Sequence, residues 1–155
     1  MSGWPLALYR VTVAVWVGAL LAIGYIAAPV LFDQLSDRSL AGKLAGAMFA
    51  VVSWLGLGCA AYLLPFMLVA HGWRAIQSKV FWVVLLMLGL TVAGHWGIQP
   101  ILEQLKADAL PRQVMESALR DRFATWHGVS SILYLIQSLL GVLLLVWQDR
   151  GRAAN

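Results

Sequence analysis

Charged side chains are missing from four long stretches of this 155-residue sequence. The eleven Lys and Arg residues and the seven Asp and Glu residues all lie outside residues 11–32, 44–73, 80–102 and 123–148. A charge at the centre of a membrane helix costs about 2.5–3.5 kcal/mol on insertion scales, and a helix needs about 20 apolar residues to cross a bilayer. The sequence therefore predicts an all-α integral membrane protein, a four-transmembrane-helix bundle in one domain over residues 1–155, with spans near 11–32, 44–70, 80–101 and 125–148.

Motifs that carry catalysis are also missing. The sequence has no Gly-rich phosphate loop, no His-Glu-x-x-His and no Ser-His-Asp arrangement. Acidic residues are absent from every predicted span, which argues against a proton-coupled transporter with a buried carboxylate relay. The single cysteine, Cys59, excludes an intramolecular disulfide framework. Because the basic residues are scattered and form no stripe, we expect no nucleic-acid partner. We expect a non-enzymatic protein. Its main partner is expected to be the lipid bilayer.

The charges between the spans give a weak signal for orientation. Four spans place both termini on one side of the membrane, and five Lys and Arg residues lie on that side against six on the other. This count is a tie under the positive-inside rule. The basic residues on the side of the termini lie immediately next to span ends, so we expect both termini in the cytoplasm. The small size and the lack of a trafficking signal favour a multi-pass protein of the bacterial inner membrane.

Small residues recur within the spans. Residues four apart lie on one face of a helix, and small side chains there let helix backbones approach closely in lipid. This spacing predicts helix packing at five glycines, Gly18, Gly42, Gly46, Gly89 and Gly97. We expect mainly packing within one chain, with a homo-oligomer as the alternative.

The connection between the third and fourth spans carries a helical pattern. After Pro111, apolar residues repeat at helical spacing, and Glu116 and Arg120 form a favourable pair four residues apart. We expect an amphipathic surface helix at about 111–123 that runs into the fourth span.

Polar side chains in the last two spans are the candidates for function. Thr91, His95 and Gln99 are four residues apart in the third span, so they share one helix face. A second stripe on the fourth span contains His127, Ser130, Ser131, Tyr134, Gln137 and Ser138. Chain direction places both histidines near the same membrane face. The predicted ligand-binding residues are His95, Gln99, His127, Ser130, Ser131 and Tyr134.

Three interpretations of these stripes stay open. They can be hydrogen-bonding groups that join helices, which contribute about 0.6 kcal/mol each on average. They can line the mouth of a pathway for a small molecule or cation. They can also form a metal or haem site at His95 and His127, because neutral imidazole suits copper, zinc and haem iron. We expect no cofactor, with haem b or copper as the alternative.

Three segments resemble a known family. They are Ala-Pro-Val-Leu-Phe at 28–32, Ala-Gly-Lys-Leu-Ala-Gly-Ala-Met-Phe at 41–49 and Phe-Ala-Thr-Trp-His-Gly-Val-Ser-Ser at 123–131. In segment order and span count the chain is similar to the DUF4149 or TMEM205-like membrane proteins. The resemblance implies four spans, no established enzymatic activity and, from animal relatives associated with resistance to a platinum drug, a role in export or trafficking. It singles out Pro29, Phe32, Gly42, Gly46, His127, Gly128 and Ser130. Tyr134 stands where the family pattern has an Asn, seven residues after His127. The resemblance therefore does not imply a polar site shared with the family at the depth of Tyr134.

The combined hypothesis is a non-enzymatic membrane protein that handles a small solute or a metal, a transport-related role. Two alternatives belong to different classes. One is a haem- or copper-binding membrane redox protein, and the other is a structural subunit of a larger membrane complex.

Overall fold

A computed structural model describes residues 3–109, 115 and 118–148 of the chain. Every regular element in these residues is helical. The helices are α1 (Trp4–Ala22), α2 (Ala28–Gln34), α3 (Arg38–His71), α4 (Lys79–Val92), α5 (Gln99–Asp108) and α6 (Arg120–Trp147). Short π-helical turns, Ile23–Ala27 and Ala93–Ile98, connect α1 to α2 and α4 to α5, and a 3₁₀ helix, Gly72–Gln77, follows α3.

These elements form four continuous rods. Span one is Trp4–Gln34, span two is Arg38–Gln77, span three is Lys79–Asp108 and span four is Arg120–Trp147. All four are long and apolar enough to cross a membrane, which confirms the predicted all-α, four-helix membrane class. The protein is a multi-pass membrane protein. Six positions of the predicted amphipathic helix at 111–123, namely 111–114, 116 and 117, lie outside the described residues, and its last four positions, 120–123, are the first turn of α6.

Local sequence signals fix where the connections turn. The Asp37 carboxylate begins α3 by accepting hydrogen bonds from the backbone N–H groups of Ser39 (2.8 Å) and Leu40 (3.2 Å). The Ser78 hydroxyl begins α4 by accepting from Val80 N–H at 3.2 Å. Such caps satisfy backbone donors that have no partner inside the helix. Gly72 ends α3 with φ of +55°, a conformation that favours glycine.

Each π-helical turn precedes a proline. Pro29 and Pro100 occupy the second residue of α2 and α5. A proline within a helix has no N–H to donate, and its ring crowds the carbonyl four residues earlier. Widening the turn relieves this crowding, and the backbone N–H of Ala28 accordingly bonds the carbonyl of Ile23, five residues back, as Gln99 does to Gly94. Spans one and three therefore continue through their prolines.

The bundle interior is mainly apolar, with Thr91, Gln137 and Ser138 as its buried polar residues among those the structure describes. Val13, Trp16, Val17, Leu63, Val84, Met87 and Leu144 have no exposed surface. Many large apolar side chains face outward instead, as expected where the solvent is lipid. The described side chains fill the bundle axis.

The five glycines predicted to pack against other helices differ in their surroundings. Gly18, Gly89 and Gly97 are exposed, and among the described residues an added Cβ at each meets nothing within 4 Å. An added Cβ at Gly46 would lie 3.5 Å from Glu103 Oε1 on span three. Gly42 has only the Phe32 ring nearby, at 3.9 Å. Close approach occurs at Gly24, Gly56 and Gly141, where an added Cβ would press on Tyr134, Trp16 and Val17 respectively. The four-residue spacing identifies a shared face but cannot identify which face turns inward.

Candidate functional site

A groove lies between spans two and three on the side of the bundle opposite the termini. Its volume is about 440 Å³, and it opens to the surroundings of the bundle. Its lining consists of Lys43, Gly46, Ala47, Ala50, His95, Gln99, Pro100 and Glu103. We call this feature the groove. Gly46, Ala47 and Ala50 on span two are small and leave room for the groove. Span three supplies the polar side chains of His95, Gln99 and Glu103.

A hydrogen-bond chain forms the polar wall of the groove. The Gln99 side-chain amide donates through Nε2 to the backbone carbonyl of Gly46 on span two, at 3.2 Å. This bond directs Gln99 Oε1 toward His95, whose Nδ1 lies 3.0 Å away. Because an amide oxygen only accepts, Nδ1 of His95 carries the proton and donates. When the imidazole is neutral, the other ring nitrogen, Nε2, holds the free lone pair.

Two tryptophans flank the histidine. The ring centroid of His95 lies 5.3 Å from that of Trp54 and 4.8 Å from that of Trp96, and both contacts are edge-to-face. The two indoles also contact each other, at 5.9 Å. Both tryptophans are more than half exposed, 60% for Trp54 and 53% for Trp96. The imidazole therefore sits at an aromatic, lipid-facing position, and not at the bundle centre.

Charged side chains lie at the outer end of the groove. Glu103 Oε1 accepts from Lys106 Nζ at 2.8 Å, and Lys43 lines the opposite wall. Glu103 follows His95 by eight residues, which corresponds to about 12 Å along a helix. The groove thus extends from a charged rim of Lys43, Glu103 and Lys106 to an uncharged polar group about 12 Å deeper.

The structure divides the predicted polar stripes into separate groups. Gln137 Nε2 donates to Thr91 Oγ1 at 2.8 Å, and Thr91 Oγ1 donates to the Met87 carbonyl at 2.8 Å. Thr91 and Gln137 are both buried, so this pair joins spans three and four inside the bundle. Tyr134 lies elsewhere, and its hydroxyl donates to the Leu20 carbonyl on span one at 2.6 Å.

His127 has different neighbours from His95. Its side chain is exposed and stacks on Phe123 with a centroid separation of 5.8 Å and an interplanar angle of 8°. The Ser131 hydroxyl donates to the His127 backbone carbonyl at 2.9 Å, and Ser130 is half-buried on the same helix. The described residues include no group of three or more His, Cys, Asp or Glu side chains that could hold a metal ion.

Sequence reasoning missed much of the lining. Lys43, Ala47, Ala50, Pro100 and Glu103 were not predicted as site residues. One signal was available for Glu103, because it continues the four-residue spacing of Thr91, His95 and Gln99 beyond the apolar window. A π-helical turn at Ala93–Ile98 lies between Thr91 and Gln99, and His95, Gln99 and Glu103 share the groove while Thr91 does not line it.

Comparison with known proteins identifies the family. Residues 11–111 match a family described as "Domain of unknown function (DUF4149)". The chain belongs to the DUF4149 family. This finding confirms the DUF4149 part of the predicted resemblance. No curated protein and no solved structure matches the chain.

The groove of this DUF4149 protein lies entirely within the matched segment. Residues 11–111 contain both walls, from Lys43 on span two to Glu103 on span three. His127 and the rest of span four lie beyond the matched segment. The predicted polar residues of span three thus lie inside the matched segment, and those of span four lie outside it.

Proposed function

We propose that this DUF4149 protein binds a small amphipathic solute in the groove without catalysing a reaction. The observation that carries the proposal is the His95–Gln99–Gly46 chain of hydrogen bonds in the wall of an open groove. Polar groups within a membrane usually face a bundle interior or a wet cavity, and they commonly mark a functional site. His95 and Gln99 face the groove instead of the closed interior.

The chemistry of the lining favours an amphipathic solute. Ala47, Ala50 and Pro100 offer an apolar surface, while His95 Nε2 offers a hydrogen-bond acceptor held in place by Gln99. Ligand sites are mostly apolar, with a few fixed polar groups that orient the ligand. A solute with an alkyl portion and a hydroxyl or amino group complements both surfaces.

The route to the site is lateral. Apolar side chains fill the bundle axis around Trp16, Leu63 and Met87, which disfavours a water-filled pore along that axis. A solute dissolved in the bilayer reaches the groove from the side, and the rim of Lys43, Glu103 and Lys106 gives it access to the head-group layer. This arrangement suits a protein that takes solutes from, or delivers them to, one face of the bacterial inner membrane.

Photo-crosslinking tests the proposal directly. The purified protein in lipid nanodiscs is irradiated with a dodecanol analogue that carries a diazirine in its alkyl chain, and mass spectrometry locates the label. We expect the label on residues 43–50 and 95–103, with competition by dodecanol but not by dodecane. His95→Ala should reduce this labelling, whereas His127→Ala, which alters an exposed histidine outside the groove, should not.

The lipid-facing side of span four provides an internal reference. Ile132, Leu135 and Leu139 are exposed but do not line the groove. Equal labelling of this side and of the groove would show that the probe only samples lipid-facing surface, and the proposed function would be wrong. Recovery of the protein only as part of a larger complex in mild detergent, together with such equal labelling, would favour the structural-subunit alternative.

A further inference from the structure

Spans one and three share a local sequence and a local structure. Ala28-Pro29-Val30-Leu31 corresponds to Gln99-Pro100-Ile101-Leu102 at a separation of 71 residues. A π-helical turn precedes the proline in both, at Ile23–Ala27 and at Ala93–Ile98. Because one antiparallel span separates them, both spans cross the membrane in the same direction.

Packing repeats with the same separation. Val13 and Val84 have no exposed surface, nor do Trp16 and Met87. Spans two and four correspond at a separation of 85 residues, where Gly56 matches Gly141. Trp16 lies against Gly56 in the first half, and Met87 lies against Gly141 in the second.

Side-chain hydrogen bonds repeat as well. Ser53 on span two donates to the carbonyl of Phe49 at 2.9 Å. Its counterpart on span four, Ser138, donates to the carbonyl of Tyr134 at 2.9 Å. Phe49 and Tyr134 are themselves counterparts, and their rings meet edge-to-face at 5.1 Å. Spans one and two therefore have the same construction as spans three and four.

We infer that the chain contains two copies of one helical hairpin and that the polar stripe of span three is a solute-binding specialisation of the second copy. The groove-lining part of this stripe consists of His95, Gln99 and Glu103. The matching positions of the first copy are Gly24, Ala28 and Phe32, all without a polar side chain. The inference therefore adds Glu103 at the rim to the residues that determine which solute binds.

The first copy shows whether helix packing at these positions needs polar side chains. Its equivalent face packs without polar side chains, since Leu20 and Ala28 are buried there. The ring of Tyr134 occupies the space beside Gly24, where an added Cβ would overlap it. The equivalent position in the second copy is His95, which lines open space. Packing at the positions of His95, Gln99 and Glu103 thus does not require a polar side chain.

The stripe also indicates which class of solute binds. This step rests on the proposed function. Glu103 is about 12 Å from His95 along the helix, so a solute that contacts both has two polar groups about that far apart and an alkyl portion beside Ala47 and Ala50. The carboxylate at the rim accepts hydrogen bonds, and so does His95 Nε2 when the imidazole is neutral. A long-chain amino alcohol, with one donor at each end, complements these two acceptors.

Exchange of residues between the copies tests the inference. Gln99→Ala and Glu103→Phe each install the residue of the first copy, and Val30→Ile is a matched exchange on a lipid-facing position of span one. Each variant is purified in nanodiscs, irradiated with a 12-amino-1-dodecanol analogue that carries a diazirine in its alkyl chain, and then unfolded by SDS titration. We expect all three to unfold at the SDS concentration of the original protein. We expect Gln99→Ala and Glu103→Phe to lose at least tenfold in groove labelling, and Val30→Ile to lose none.

The possible results separate the two proposals. If the original protein is labelled in the groove and both polar exchanges keep that labelling, the specialisation is wrong while the binding function stands. If Gln99→Ala and Glu103→Phe fail to assemble or unfold at much lower SDS, the stripe is needed for packing and the inference is overturned. If the original protein shows no preference for the groove, the proposed function itself fails.

Discussion

The buried hydrogen bond between Thr91 and Gln137 gives the most quantitative prediction. Thr91→Val keeps the shape of the side chain but removes the acceptor of the Gln137 amide, which lies 2.8 Å away and is 7% exposed as a residue. A buried donor left without a partner costs about 1–3 kcal/mol. We expect Thr91→Val to lower the free energy of unfolding by that amount.

The partner substitution should cost less. Gln137→Leu removes the donor, but Thr91 Oγ1 still donates to the Met87 carbonyl at 2.8 Å. Hydrogen bonds between membrane helices contribute about 0.6 kcal/mol on average and at most about 1.7 kcal/mol. We expect a loss within that range. The double variant leaves no unpaired amide, so its loss should be smaller than the sum of the two single losses.

The original protein, the two single variants and the double variant form a double-mutant cycle. Their free energies of unfolding are measured by reversible SDS titration in mixed micelles, monitored by tryptophan fluorescence. Ser53→Ala is a suitable control, because Ser53 bonds only within its own helix. We expect that control to change stability little. If the loss of stability in the double variant equals the sum of the two single losses to within about 0.3 kcal/mol, the two side chains do not interact. That result would refute the arrangement of spans three and four described here.

Three further predictions concern packing, cofactors and orientation. Gly56→Ala should destabilise the protein by about 1–3 kcal/mol in SDS titration, since its Cβ would lie 2.7 Å from Trp16 Nε1, whereas Gly18→Ala, in open space, should be neutral or stabilising. The purified protein should show no Soret band and no copper; a band lost in His95→Ala or His127→Ala would establish the haem alternative. A fluorescent protein fused to the C-terminus should fluoresce in bacteria, and an active alkaline phosphatase fusion there would contradict cytoplasmic termini.

For the candidate site, the sequence predicted which residues share a helix face. It did not predict which residues of other helices they contact. The four-residue spacing predicted one face for Thr91, His95 and Gln99, but Thr91 bonds Gln137 inside the bundle while His95 and Gln99 line the groove. The contact of Gln99 with Gly46 joins residues 53 positions apart, which no local pattern encodes. His95 and His127 were expected at similar depth, yet they have separate neighbours because the two helices present them on different sides.

The internal duplication shows a similar limit. Few identical residues connect the two hairpins, so the repeat is inconspicuous in the sequence. It emerges when burial, π-helical turns and hydrogen bonds are compared, as for Ser53 and Ser138. Packing conserves volume and position more strictly than it conserves residue type.

The sequence by itself determined the number of spans and the helical class, because the cost of placing charge in hydrocarbon acts on each segment independently of its neighbours. The helix starts at Asp37 and Ser78 depend on local hydrogen bonds, and α3 begins six residues before the start that the charge-free window predicts for the second span. The tertiary structure decided which side of each helix faces a partner and which faces lipid. Both environments are apolar, so hydrophobicity does not distinguish them. For that reason Gly18 and Gly56 look alike in the sequence, and only the assembled bundle shows that one faces open space and the other the ring of Trp16.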